Sequence, residues 1–156
     1  MSVYEFSVFL HVTAVMVGFG ATFAQAIMFP VAVKVGTRHL PYVHRLQLAI
    51  NRRMATPALV VVLLTGIYQT SDGDWGFGSF WISATFLIVL VVGGLSGAYF
   101  IPSDRRLAAQ AERELSETGD VSEDYLRQAR RQGMIGALTG VLLIAAVFLM
   151  VVKPGA

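Results

Sequence analysis

Residues 6–33, FSVFLHVTAVMVGFGATFAQAIMFPVAV, contain no Asp, Glu, Lys or Arg and carry one ionisable side chain, His11. About 20 apolar residues cross a hydrocarbon core of about 30 Å as a helix. The stretch therefore predicts a membrane span over residues 3–33, with Pro30 able to kink or end it. A titratable side chain inside a span is costly and points into the bundle, paired or bound to something. Two readings of His11 are open. One is a neutral imidazole hydrogen-bonded to a Ser, Thr or Tyr of a neighbouring helix; the other is a metal or haem ligand. Steps of three and four residues set Ala14, Gly18, Ala21 and Gln25 on the face below it. Such a row of small residues either lets helices approach closely or leaves room for a flat ligand beside the histidine.

The rest of the chain repeats this pattern. Of its 156 residues 55% are hydrophobic and only 14% charged, which sets it apart from soluble domains and marks an integral membrane protein. Without cysteine, disulfides, thiolate metal sites and cysteine nucleophiles are excluded. Residues 1–5 have no basic segment and the apolar run exceeds a signal sequence, so the first span is expected to stay attached.

After span one comes a basic segment holding Lys34, Arg38, His39, His44, Arg45, Arg52 and Arg53. Pro41 suits a first helical turn, and Tyr42, Leu46 and Ile50 recur every four residues, predicting an amphipathic helix whose histidines face water or headgroups. It leads into span two, residues 54–70, with Pro57 inside. SDGDWGFGS, residues 71–79, supplies a turn, and Trp75 and Trp81 read as interfacial aromatic anchors. Span three covers residues 79–101 and contains Gly93 and Gly97, a G-x-x-x-G pair of the kind that serves helix packing. Residues 103–131 are polar and helix-favouring, broken at Thr118, Gly119 and Asp120, and predict a solvated helical hairpin with Ser122 as an N-cap. Span four covers residues 132–152.

The expected fold is thus all-α: one integral membrane domain, a four-helix bundle with helices extended into the cytoplasm. Of the 12 Lys and Arg residues, five lie between spans one and two, six between spans three and four, one at the C-terminus and none between spans two and three. By the positive-inside rule both long connections are cytoplasmic and both termini outside, in a plasma membrane such as the bacterial inner membrane. The net charge of +2 follows from this arrangement and does not imply nucleic-acid binding.

Phosphate-binding loops, dinucleotide fingerprints, H-E-x-x-H and an intramembrane Ser-His-Asp set do not occur, so no catalytic residue is identified. The spans also lack acidic or basic residues at mid-depth, which argues against a proton pump or ion channel.

FLHVTAVMVGFGATF in span one, MATPALVVVLLTG in span two, Trp81 opening span three and LLIAAVFLMVVKP at the end resemble, in order, the HemJ-type protoporphyrinogen oxidases. They also resemble the copper-resistance D-like proteins and an uncharacterised family of small predicted integral membrane proteins. The resemblance implies a b-type haem with His11 as axial ligand. Phe19, Gly20, Phe23, Pro57 and Gly66 also match. The oxidases carry Trp and Arg in span one and Lys in span three where this chain has Gly18, Ile27 and Thr85, so the uncharacterised relatives match better.

Three classes follow: an integral membrane protein without catalytic signature that acts as a scaffold or accessory subunit, a haem-binding redox protein, and a small-solute carrier. In the second, His11 is the axial ligand, Met150 its partner on the iron and Gly18 the space for the ring, since His and Met are both haem ligands. The expected partners are the lipid bilayer and a membrane protein or second copy of the chain.

Overall fold

The structure, a computed structural model, describes residues 1–73 and 76–155. Among them no strand forms. The helices are α1 (Val3–Val35), α2 (Leu40–Ile50), α3 (Thr56–Asp72), α4 (Phe80–Leu95), α5 (Ile101–Thr118) and α6 (Glu123–Val152). π-Helical turns Asn51–Ala55 and Ser96–Phe100 run α2 into α3 and α4 into α5. Four rods result, Val3–Val35, Thr37–Asp72, Phe80–Thr118 and Glu123–Val152, each long and apolar enough to cross a membrane.

Local chemistry explains where the rods begin, bend and end. Ser2 Oγ accepts the Glu5 N–H at 3.1 Å while the Glu5 carboxylate accepts the Ser2 N–H at 2.7 Å, a capping box that satisfies two free donors at the start of α1. Gly36 ends that helix with φ 145°, a conformation closed to other residues. Each π turn stops two residues before a proline, Pro57 or Pro102. A proline has no N–H and its ring collides with the carbonyl four residues back, so a widened turn relieves the helix there. Ser122 caps α6 through the Tyr125 N–H at 3.1 Å.

α1 and α3 form an antiparallel seam. Gln69 donates to Ser7 Oγ at 3.1 Å, His11 Nδ1 meets Thr65 Oγ1 at 2.8 Å, Gly18 lies against Ala58, and at the far end Gln25 donates to Asn51 Oδ1 at 3.2 Å. Every step along α1 is matched by an equal step back along the second rod. Positions 7, 11, 14, 18, 21, 25, 28 and 32 alternate steps of four and three, the spacing that keeps one stripe against a partner helix. Ala14, Ala58, Val62 and Val89 make the apolar cluster at this level. Outward-facing residues such as Met16, Ile27, Leu87, Leu90, Ile144 and Phe148 are exposed and apolar, as a lipid-facing surface is. In the G-x-x-x-G pair, Gly93 packs on Leu59 whereas among the described residues no other helix comes within 4 Å of a methyl group placed at Gly97.

Three expectations need correction. The α5–α6 hairpin is not solvated all round: Leu107, Ala111, Tyr125 and Ala129 are buried together with Ala32, Leu40 and Val43 of the first two rods. Its few apolar residues suffice because α2 supplies the other half of the core. For the same reason His44 does not face water or headgroups but is only 2% exposed. Trp81 opens α4 yet is buried, with the Lys153 ammonium 5.5 Å from its ring centre, so its ring packs inside the bundle rather than in the lipid interface. Trp75, the other expected anchor, lies outside the described residues. At the start of α6 Asp124 pairs with Arg127 at 3.5 Å, three residues apart.

Candidate binding cleft

At the basic end of the bundle polar side chains from all four rods come together. The second rod sets His44, Gln47 and Asn51 on one face through steps of three and four residues. α5 contributes Ser103 and Asp104 directly after Pro102, α6 contributes Tyr125 and Gln132 two turns apart, and α1 contributes Gln25. Asp104 is the centre of the group and only 1% exposed. Its Oδ2 accepts from the Asn51 amide at 3.1 Å and its Oδ1 from the Gln132 amide, whose oxygen in turn accepts the Ser103 hydroxyl. His44 Nδ1 lies 3.7 Å from Asp104 Oδ1, and His44 Nε2 meets the Tyr125 hydroxyl at 2.7 Å.

A buried carboxylate is tolerated when donors surround it. Here two neutral amides do so, and the nearest ionisable partner, His44, stands beyond hydrogen-bond length. Two buried atoms of the group, His44 Nδ1 and Gln47 Oε1, have no hydrogen-bond partner among the described residues.

The group forms one end of a cleft of about 790 Å³. Away from it the wall is apolar, built by Ala14, Gly18, Ala58, Val62, Val92 and Leu143; at the polar end it is built by Gln25, His44, Gln47, Asn51, Asp104 and Gln132. Lys34 and Arg130 border the cleft too and are exposed. Sites for small organic molecules share this size and this mixture of apolar wall with a few convergent polar groups.

Of the residues singled out in the sequence, Gly18 borders the cleft, while His11 and Met150 are not part of its wall. The His11 imidazole is half-buried, bonded to Thr65, and its ring packs against Gly66 of α3. The Thr65 hydroxyl also donates to the Val61 carbonyl at 2.6 Å. Gly18 is held tightly: a Cβ added there would stand 2.9 Å from the Ala58 Cβ. Sequence reading passed over Asn51, Asp104, Gln132 and the burial of His44. A usable signal existed, because Asn51, Asp104 and Gln132 all fall where an apolar run meets its basic connection, hence at one depth. Among the described residues no three His, Asp or Glu side chains gather as metal ligands.

A family model described as a predicted integral membrane protein, DUF2269, matches residues 6–154. No curated protein and no solved structure matches the chain.

Proposed function

The chain belongs to this family of predicted integral membrane proteins, and on that footing we propose that it is a membrane-embedded binding protein for one amphipathic molecule. The single observation that carries the reading is the change of wall along the cleft, from small apolar side chains to the buried Asp104 network. A ligand's apolar part lies between α1, α3, α4 and α6, and its polar part meets Gln47, Asn51 and Asp104. The loop charges support a basic end in the cytoplasm, so that the polar part sits at the inner leaflet. Native mass spectrometry from lipid nanodiscs tests this. One amphiphile retained per wild-type chain is expected, and its loss in Ala137→Trp, which fills the cleft from an exposed wall position. Identical lipid complements in both proteins would overturn it.

A second reading places a b-type haem on His11. One observation favours it: Thr65 holds Nδ1, as partners of ligating histidines do, which leaves Nε2 for iron. The cleft does not fit that group, because neither His11 nor Met150 borders it. Bound haem would supply one-electron redox chemistry. A Soret band that shifts on reduction and vanishes in His11→Ala would establish this reading, and a colourless protein from haem-replete cells would remove it.

A further inference from the structure

We propose that the polar end of the cleft recognises a primary ammonium group, so that the ligand is a long-chain amine or an amphiphile with an amine head; this rests on the cleft reading above. Asp104 is a buried carboxylate whose hydrogen-bond donors, Asn51 and Gln132, are both neutral. A carboxylate has about four lone-pair sites, and two here are met by the protein. Next to it stands His44 Nδ1, buried and without a hydrogen-bond partner among the described residues, on a side chain that lines the cleft. The tautomer that gives its Nε2 proton to the Tyr125 oxygen leaves a lone pair at Nδ1.

In that tautomer Nδ1 and Asp104 Oδ1 are two acceptors 3.7 Å apart, spaced so that one nitrogen can bridge both at ordinary hydrogen-bond lengths of about 2.9 Å. Gln47, whose Oε1 is a third acceptor without a partner among the described residues, lines the same cleft. An ammonium group offers three donors and one positive charge, matching these acceptors and the uncompensated carboxylate. A hydroxyl supplies too few donors and no charge, and a phosphate brings acceptors to acceptors. Lys34 and Arg130 border the cleft but are exposed, where an anionic head would stay in water.

The test uses the full chain in phosphatidylcholine nanodiscs at neutral pH, with tetradecylamine, tetradecanol or tetradecyl phosphate added at equal mole fraction. Its readout is the thermal unfolding midpoint, which rises with any ligand that binds the folded state. The amine is expected to raise the midpoint by several degrees more than the other two, and Asp104→Asn to remove that excess. Gln47→Leu, which leaves the carboxylate network intact, should reduce it, keeping a variant in hand if Asp104→Asn does not fold. Equal shifts for all three amphiphiles would overturn the ammonium assignment while the cleft reading stands. A larger shift with the phosphate would overturn it in favour of Lys34 and Arg130. No shift with any of them would overturn both.

Discussion

Gly18 of α1 sits so close to α3 that a methyl group added at residue 18 would stand 2.9 Å from the Ala58 Cβ. Neither side can give way freely, because both belong to helices locked along the same seam. Gly18→Ala should therefore destabilise the protein by about 1–3 kcal/mol, the usual cost of overpacking. Unfolding in mixed micelles measures it, and Ala58→Gly in the same chain should recover most of the loss. Gly20→Ala, whose new methyl has no described atom beyond its own helix backbone within 4 Å, serves as the control and should cost nothing.

The His11–Thr65 hydrogen bond at 2.8 Å ties the same two helices nearer their other end. A double-mutant cycle with His11→Ala and Thr65→Val should return a coupling of about 0.6 kcal/mol and no more than about 1.7 kcal/mol, the range for such bonds between membrane helices. A coupling of zero would mean that the bond contributes nothing to the fold.

Leu107 is fully buried between the hairpin and the first two rods. Leu107→Ala removes that contact and leaves a cavity, at an expected cost of about 2–5 kcal/mol. Amide exchange locates the effect. In the wild type residues 104–111 and 125–132 should exchange slowly and Gly119 and Asp120 fast; in the variant both flanking segments should become fast. Fast exchange throughout the wild-type hairpin would contradict its packing on α2.

The loop of that hairpin carries a pH dependence. Glu114 accepts the Ser122 N–H at 2.6 Å and the Gln110 amide at 2.8 Å, and these donors, the backbone one first, hold its carboxyl below the usual glutamate value. Asp120 is held low as well, first by the Thr37 hydroxyl and then by the Val121 N–H. Because both values are depressed on folding, their stabilisation is present above the ordinary carboxylate range and is lost as pH falls through the folded values. Protection factors around Val121 and Ser122 should fall on acidification, and Glu114→Gln should remove the part of that fall due to Glu114. Protection that stays constant into strong acid would show these bonds to be absent in solution.

The loop charges make a prediction about sidedness. A reporter fused after Gly78 should lie outside and one after Gly119 inside, because eleven of the 12 basic residues fall in the two connections on one side. The opposite pattern would move the Asp104 network to the outer leaflet.

Much of the architecture is written locally. Four apolar runs, the prolines that follow the two π turns, the Ser2 and Ser122 caps and the Gly36 and Gly119 stops can each be read within a few residues. Each depends on the chain's own backbone or on transfer into lipid, and neither requires knowing what lies opposite. The stripe through His11, Gly18 and Gln25 was legible for the same reason, since helical periodicity alone puts those residues on one face.

What faces that stripe was not legible. Asp104 reads in the sequence as one more charge in a polar run, and His44 as a surface histidine of an amphipathic helix. Their burial depends on α5 and α6 turning an apolar stripe of alanines, one leucine and one tyrosine toward α2, from positions some 60 to 90 residues away along the chain. Composition within a window cannot report such a contact, because the few apolar residues on each side make a core only when combined. The cleft has the same origin: its walls come from four rods, and only their packing sets a carboxylate and an unpartnered imidazole nitrogen 3.7 Å apart at its end.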